Sequence, residues 1–526
     1  MAAAALVIAS GCGGNEAADS VDATAATTTT APATGDDVTT GGEVVIGVEA
    51  NPATIDFVGN NGGAIDSATD YTFSMMYEGL TALGADGGSV PLLAESVEHN
   101  DDYTVWTAKL REGVTFTDGT PLNAAAVVES YRFRADPANC KCAASYEGMT
   151  FEATDDMTVQ VTLTEARTRL DETRLTDAIA SPATLKPGYD RNAEPVGTGP
   201  FKLTDRAALQ FERNENYWRK DEAGKALPYL DGIRLAPISD PSVRLAALRK
   251  GEIQVMEVLD GPTLNLVSAD DEFTVDRSGA GGTTLVIANT RSGPASDQEV
   301  RDALALSVDR EALAQSYAES ASVPAFSFFT DEFTFDITGE FPDRDLDKAK
   351  EMVESIKARL GDDALKIKIV CAKIPEAEAL LPVAVNQLKE AGFDATLTFL
   401  DVGEYAAQVL GGGGSWDLAC SRVPPIDASP ADLSNYLVTG RGPNVAKYSN
   451  PEIDALFDQE QKAVDLAERT EIFQKVSDAV VKDKPYVPLL FSQVAAVARK
   501  EVQGVRTSDR FWPTEVDVDR IWLKQG

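Results

Sequence analysis

Residues 365–420 read LKIKIVCAKIPEAEALLPVAVNQLKEAGFDATLTFLDVGEYAAQVLGGGGSWDLAC, and this stretch decides the fold class. Its first five residues alternate between apolar and polar, as expected of a β-strand, and the apolar pattern then changes to a helical period that stops at Gly392. Strands and helices alternate in the order Leu365–Val370 (strand), Pro375–Ala391 (helix), Phe393–Leu400 (strand), Val402–Leu410 (helix) and Trp416–Cys420 (strand). Such alternation predicts a parallel, three-layer α/β unit.

The same rhythm begins upstream of this stretch. Thr283–Ala288 is predicted as a strand, Asp297–Ala318 as one long amphipathic helix, and Leu346–Leu360 as a further helix. In a sheet wound in the usual way, the strands at 366–370 and 417–420 are neighbours. Cys371 and Cys420 then lie at the same carboxyl end, where a disulfide between them is geometrically possible and where open parallel sheets bind ligands.

The other cysteines and the histidine bear on metal binding. Cys140 and Cys142 are separated by one residue, which we expect to be too tight for an ordinary disulfide, and they lack zinc partners. His99 is the only histidine, so a site built from several histidines is excluded, and we expect His99 on the surface. We predict no metal and no cofactor.

Length and charge limit the classes of function. The chain has 526 residues, long enough for two to four domains, and 43% of them are hydrophobic, enough to form buried cores. It carries 84 acidic and 47 basic residues, a formal net charge of −37. Nucleic acids and anionic membrane surfaces are therefore poor partners, because both are bound by clustered lysine and arginine.

The amino-terminal residues suggest export. Residues 2–10 (AAAALVIAS) form a short apolar run before Cys12, and residues 9–12 (ASGC) resemble a bacterial lipobox, in which the cysteine is lipidated. Leucine is usual where Ala9 stands, and the basic start of an export signal is missing, so we interpret residues 1–12 as a truncated lipoprotein signal. The alternative is an alanine-rich leader with an incidental cysteine. Residues 13–42, without aromatics, are predicted to be a disordered tether.

Sequence motifs for catalysis are absent. The chain has no G-x-S-x-G elbow, no phosphate-binding loop ending in GK[ST], no HExxH and no zinc-type cysteine quartet. It contains no run of 18 apolar residues that could span a membrane. We therefore predict that the protein is not an enzyme, although a secreted hydrolase is kept as the alternative from another class.

A series of segments in the body resembles one family in order. They are MYEGL (76–80), VPLLAES (90–96), WTAKLREGVTFTDGTPL (106–122), VGTGPF (196–201), ERNENYW (212–218), RLAALRKGE (244–252), VRDALALSVDR (300–310), YSNPEID (448–454) and PYVPL (485–489). This pattern resembles extracellular solute-binding protein family 5, the oligopeptide, dipeptide and nickel class of importer receptors. The resemblance covers residues 43–526.

The resemblance implies a two-lobed clamp of the type II periplasmic-binding-protein kind that closes over a ligand by hinge motion. Lobe I would comprise residues 43–80, 195–282 and 491–526. The inserted domain would comprise residues 81–194, and lobe II would comprise residues 283–490. A monomer, lipid-anchored at the outer face of the cytoplasmic membrane, would pass its ligand to the permease subunits of an ATP-driven (ABC) importer. The ligand would be a peptide or peptide-like solute, with an oligosaccharide, a metallophore or an opine-like molecule as alternatives.

The resemblance also points to residues for the ligand site. Peptide-binding members carry an aspartate, after the last inner strand of lobe II, that binds the ligand's α-ammonium group. In this chain Ile426 stands at that position and Asp427 one residue later, so Asp427 is either the ammonium ligand or a solvated loop residue. Arg422 nearby could instead meet a carboxylate.

Further candidates match positions where family members contact the ligand. Tyr146 resembles a tyrosine that the inserted domain extends over the ligand, and Thr69, Asp70 and Tyr71 precede the MYEGL match. For both tyrosines, packing in a core is the alternative to ligand contact. Tyr217 and Trp218 are expected to be structural.

Overall fold

The structure is a computed structural model. It describes residues 38–52, 54–58, 67–84, 88–277, 282–318, 322–329, 335, 337–423, 433–441, 444–506 and 518–524.

The strands are β1 (Glu43–Val48), β2 (Thr81–Leu83), β3 (Ser89–Pro91), β4 (Ala94–His99), β5 (Val105–Leu110), β6 (Met149–Asp155), β7 (Thr158–Leu163), β8 (Phe201–Asp205), β9 (Gln210–Arg213), β10 (Gly232–Pro237), β11 (Val255–Val258), β12 (Phe273–Arg277), β13 (Thr283–Ala288), β14 (Ser322–Pro324), β15 (Lys366–Ala372), β16 (Asp394–Leu400), β17 (Leu418–Val423), β18 (Tyr486–Ser492), β19 (Ala495–Arg499), β20 (Val502–Gln503) and β21 (Trp522–Leu523).

The α-helices are α1 (Ser67–Met76), α2 (Ala124–Ala135), α3 (Leu170–Thr173), α4 (Pro241–Lys250), α5 (Gly261–Ser268), α6 (Gln298–Ser307), α7 (Arg310–Ala318), α8 (Leu346–Leu360), α9 (Pro375–Ala391), α10 (Val402–Tyr405), α11 (Leu433–Leu437), α12 (Pro451–Glu460) and α13 (Leu466–Asp483).

The residues assigned to lobe I contain a seven-stranded sheet, in which the strands lie in the order β12-β19-β11-β1-β10-β9-β8. The central strand β1 runs parallel to β10 and β11, and its Val44, Ile46 and Val48 are fully buried in the lobe I core.

Residues 38–42, predicted to belong to the tether, contact the lobe I body. Val38 packs in an apolar cluster with Trp522, and the Gly41 amide donates to the Tyr229 carbonyl at 2.8 Å, so these five residues are part of the folded body. The rest of the predicted tether, residues 13–37, lies outside the described residues.

The inserted domain contains an antiparallel sheet in the order β4-β5-β7-β6, against which α2 packs. His99 is exposed at the end of β4, where its ring stacks on Tyr103. Cys140 and Cys142 are joined by a disulfide, so the expectation that their spacing is too tight is wrong. The chain turns sharply into a 3-10 helix at Lys141, which places the two Cα atoms 5.0 Å apart, within the range of ordinary disulfides.

Lobe II is built on a six-stranded sheet in the order β14-β18-β13-β17-β15-β16. The parallel pairing of β15 with β17 is confirmed, and Cys371 and Cys420 lie opposite each other and form a disulfide. The sheet is mixed rather than parallel throughout, because β13 runs antiparallel to β17 and β18. The helix predicted over 297–318 is two helices, α6 and α7, since the Asp309 carboxylate accepts the Ala312 amide and starts a second helix.

Two connections join the sheets of lobes I and II. The chain passes from β12 to β13 and returns from β18 to β19 through residues 493–494. Because β13 and β18 are antiparallel neighbours, both connections leave lobe II at the same end of its sheet. This is the arrangement of a clamp with paired hinge segments, and it places the carboxyl ends of β15 and β17 toward lobe I.

Candidate ligand-binding cleft

Arg422 bridges the two lobes at the carboxyl end of β17. Its Nη1 donates to the Leu259 carbonyl, just after β11 of lobe I, at 3.1 Å. The same nitrogen lies 3.9 Å from Oε2 of Glu376, which is outside hydrogen-bond distance but within reach of an ion pair. The carboxyl ends of strands from both lobes therefore meet around one half-buried guanidinium group.

Glu376 supplies the main anionic side chain on the lobe II side. It lies in the first turn of α9, directly after β15, and is 4% exposed. Its Oε1 accepts hydrogen bonds from the hydroxyls of Thr284 and, at 3.1 Å, Ser492, at the hinge ends of β13 and β18. A buried carboxylate is tolerated where hydrogen bonds and a cation stabilise it, and Glu376 has both.

Lobe I contributes further carboxylates opposite Glu376. Glu257, at the end of β11, is fully buried and accepts the Glu49 amide. Asp260 caps α5 by accepting the Thr263 amide at 2.8 Å. Helix α5 packs against α7 of lobe II, so the acidic ends of the lobe I strands lie beside lobe II.

Tyr317 on α7 joins the two sides, because its ring packs against the cores of both lobes. Burial raises the pKa of Tyr317, and the carboxylates of Glu376 and Asp260 raise it further, against the opposing effect of Arg422. Its hydroxyl is buried without a hydrogen-bond partner among the described residues. We call the following six residues the cleft floor: Glu49, Glu257, Asp260, Tyr317, Glu376 and Arg422.

The cleft floor has more acidic than basic side chains, with four carboxyl groups and Arg422. Such a cluster of carboxyl groups at the junction of two lobes suits a ligand that carries an ammonium group, while Arg422 also offers a planar donor for a carboxylate. Of the predicted ligand-binding residues that the structure describes, only Arg422 is placed there. Sequence reasoning missed Glu376 and Asp260, although both directly follow strands, the positions at which open α/β sheets bind ligands.

The other predicted site residues lie elsewhere or outside the described chain. Thr69, Asp70 and Tyr71 are buried in the first two turns of α1, and Tyr71 belongs to the lobe I core. Tyr146 is 2% exposed in the core of the inserted domain, and its hydroxyl donates to Asp177 at 2.5 Å. Tyr146 therefore packs in a core, which is the alternative to ligand contact that the sequence analysis gave for this residue. Asp427 and Cys12 lie outside the described residues.

Three of the segments that resemble the family, 76–80, 196–201 and 212–218, meet at Glu78 rather than at the cleft floor. This buried carboxylate accepts hydrogen bonds from Thr198 (2.8 Å), the phenol of Tyr217 (3.0 Å) and the indole of Trp218 (2.9 Å). Nearby, a Cβ on Gly197 would lie 2.1 Å from the Met76 carbonyl, so only glycine fits. Tyr217 and Trp218 therefore hold three chain segments together, as expected of structural residues.

Comparison with known proteins agrees with this architecture. Residues 89–444 match the model of the bacterial extracellular solute-binding proteins, family 5. The chain belongs to this family. Family 5 proteins are solute-binding receptors of ABC importers that act outside the cytoplasm.

Among relatives of family 5, the glutathione-binding protein GsiB of Escherichia coli K12 is 28% identical over 478 residues, which cover 88% of this chain and 91% of GsiB. The oligopeptide-binding protein AppA of Bacillus subtilis, solved with a nonapeptide, matches with a TM-score of 0.80 at 20% identity, covering 93% of this chain and all of AppA. The binding protein AgaA of A. tumefaciens R10, solved with agropinic acid, matches with a TM-score of 0.81 at 22% identity, covering 92% and 99%. The fold is that of type II periplasmic binding proteins.

In the part of the chain that the structure describes, no three or more His, Cys, Asp or Glu side chains form a group that could hold a metal ion. Within the same ranges, no helix combines the length and the apolar composition needed to cross a membrane.

Proposed function

We propose that this protein captures a peptide or peptide-like solute by hinge closure and delivers it to the permease of an ABC importer. The observation that carries the proposal is the acidic cleft floor, where Glu376 and Arg422 of lobe II face Leu259 and Asp260 of lobe I. A zwitterionic ligand suits this surface, since its ammonium group can pair with the carboxylates and its carboxylate with a guanidinium.

We expect the two lobes to close over the ligand because the cleft floor lies beside the two connections between them. A ligand that contacts both lobes binds the closed state more tightly than the open one, and so shifts the population toward closure. Tyr317, whose buried hydroxyl has no acceptor within the described ranges, adds a donor on the lobe II side. Chemistry on the ligand is not part of this scheme, and a secreted hydrolase stays the less favoured alternative.

A ligand screen by thermal unfolding tests the proposed function. Glutathione and pools of di- to pentapeptides should raise the melting temperature, because a ligand at a hundredfold excess over its dissociation constant adds about 2.7 kcal/mol to the stability. Oligosaccharides, metallophores and opines, among them agropinic acid, form the comparison set. A shift with one of these and none with peptides would reject the peptide assignment and identify the ligand class.

We further propose that a lipid on Cys12 holds the body at the outer face of the cytoplasmic membrane through the tether that follows. The support is the short apolar run and the small residues before this cysteine. In a bacterial host, Cys12→Ser should abolish metabolic labelling with palmitate and release the protein from the membrane fraction. Cys142→Ser, which removes a cysteine of the folded body, should stay labelled; persistent labelling of Cys12→Ser would refute the anchor.

A further inference from the structure

The inserted domain touches lobe II at a junction away from the cleft floor, through Thr168. The Thr168 amide donates to the Gln461 carbonyl at 3.0 Å. The Thr168 hydroxyl shares its one hydrogen between two acceptors, the carbonyls of Ala463 at 3.0 Å and Gln461 at 3.2 Å. Gln461 caps the carboxyl end of α12. The last carbonyls of a helix lack partners within it, so Thr168 supplies a donor that the Gln461 carbonyl cannot find inside α12.

Arg169 adds an ion pair to the same junction. Its Nη2 donates to Oε1 of Glu460, the last residue of α12, and its Nε lies 3.0 Å from Glu172 of its own domain. Glu460 is 2% exposed and is also contacted by Arg469 of lobe II at 3.3 Å. The carboxylate of Glu460 is therefore held between one guanidinium group from each side of the clamp.

The two guanidinium groups at Glu460 are anchored in different bodies of the protein. Arg469 is fixed within lobe II, since its guanidinium lies over the rings of Phe335 (4.7 Å) and Phe473 (5.8 Å). Leu170, directly after Arg169, is fully buried in the core of the inserted domain. The bonds of Thr168 and Arg169 to α12 thus join two separately packed bodies, and they must break when those bodies move apart.

We propose that Thr168 and Arg169 form a latch on the end of α12 that favours the closed clamp and slows the release of a captured ligand. The latch rests on the hinge closure proposed above but not on the identity of the ligand. On opening, the freed charges and carbonyls regain water, so the net gain from the latch is modest and the contact is reversible. The exposed pair Lys462–Glu165 spans the same junction but contributes little, because water screens it.

Hydrogen–deuterium exchange of the ligand-free full chain tests the latch. In Arg169→Gln, Glu460 keeps its pairing with Arg469, so lobe II should stay folded. We expect the amides of residues 165–170 to exchange about tenfold faster, because local opening governs their protection. Small-angle scattering should show a larger radius of gyration. Arg344→Gln, which removes an ion pair with Glu390 inside lobe II, is the matched control and should leave both measurements unchanged.

A second variant keeps the test decisive if Arg169→Gln lowers the global stability. Thr168→Val retains the shape and the amide but loses the hydroxyl donor, and should also speed exchange of the segment. Wild-type exchange and scattering in both variants would overturn the latch. Since neither measurement uses a ligand, failure of the latch is distinct from failure of the peptide screen.

Discussion

Replacing Glu376 by glutamine should weaken binding of a peptide with a free amino terminus by about ten- to a hundredfold, or about 1.4 to 2.8 kcal/mol. The N-acetylated form of the same peptide should lose little affinity. The reason is the place of Glu376 on the cleft floor, where its carboxylate is buried and its Oε2 is 3.9 Å from Arg422. A ligand ammonium at this carboxylate forms a charge-assisted hydrogen bond that a neutral amide cannot equal.

Glutamine is the informative substitution because it changes the charge and little else. Its side-chain oxygen can still accept the hydroxyls of Thr284 and Ser492, so the hinge ends of β13 and β18 keep their contacts. Isothermal titration with the strongest peptide of the screen, in free and acetylated form, measures the difference. The wild-type protein should prefer the free amine, and Glu376→Gln should remove most of that preference.

Glu378→Gln provides a matched control. Glu378 lies in the same first turn of α9, but it is exposed, so this variant loses the same charge from the same helix end. Its affinity for the free peptide should stay close to that of the wild type. Equal losses for the free and acetylated peptides in Glu376→Gln would remove the ammonium role of this residue, even if the protein binds peptides.

Local pattern accounts for the part of the fold that the sequence predicted correctly. The alternation at Leu365–Val370 and the helix that follows it are properties of neighbouring residues, and they imply the parallel pairing that brings Cys371 to Cys420. The direction of β13 is not a local property. It follows from the crossover that brings the chain from lobe I, and the pattern of residues 283–288 is the same for either direction.

The cleft floor was predicted only in part, for a related reason. Glu376 is one of 84 acidic residues, and its sequence surroundings do not distinguish it from Glu378. What makes it special is burial between β13, β18 and Arg422, which depends on contacts with Thr284 and Ser492, 92 and 116 residues away along the chain. Tyr146 shows the converse, since a family position suggested ligand contact while its ring packs in the inserted-domain core. Asp427 remains a prediction.

Replacing Glu78 by alanine should destabilise the protein by about 3 to 5 kcal/mol, since two buried donors and one part-buried donor would lose their acceptor at about 1 to 3 kcal/mol each, partly offset by relaxation. The donors are Thr198, Tyr217 and Trp218. Denaturant unfolding followed by tryptophan fluorescence measures the loss. Glu95→Ala, at an exposed residue paired with Lys109, should change the stability by less than about 0.5 kcal/mol.

Comparing the stability of wild type and Glu78→Gln as a function of pH separates the cost of burying the Glu78 charge from the contribution of its hydrogen bonds. Burial raises the pKa of Glu78, against the opposing effect of its hydrogen bonds from Trp218 and Thr198. A carboxyl group whose pKa is higher in the folded than in the unfolded state contributes stability that is fully present below the unfolded value, about 4.3, and is lost as pH rises through the folded one. The stability advantage of wild type over Glu78→Gln should therefore be largest near pH 4 and narrow toward pH 8. An advantage that widens with pH would show that the hydrogen bonds to the ionised form outweigh its desolvation.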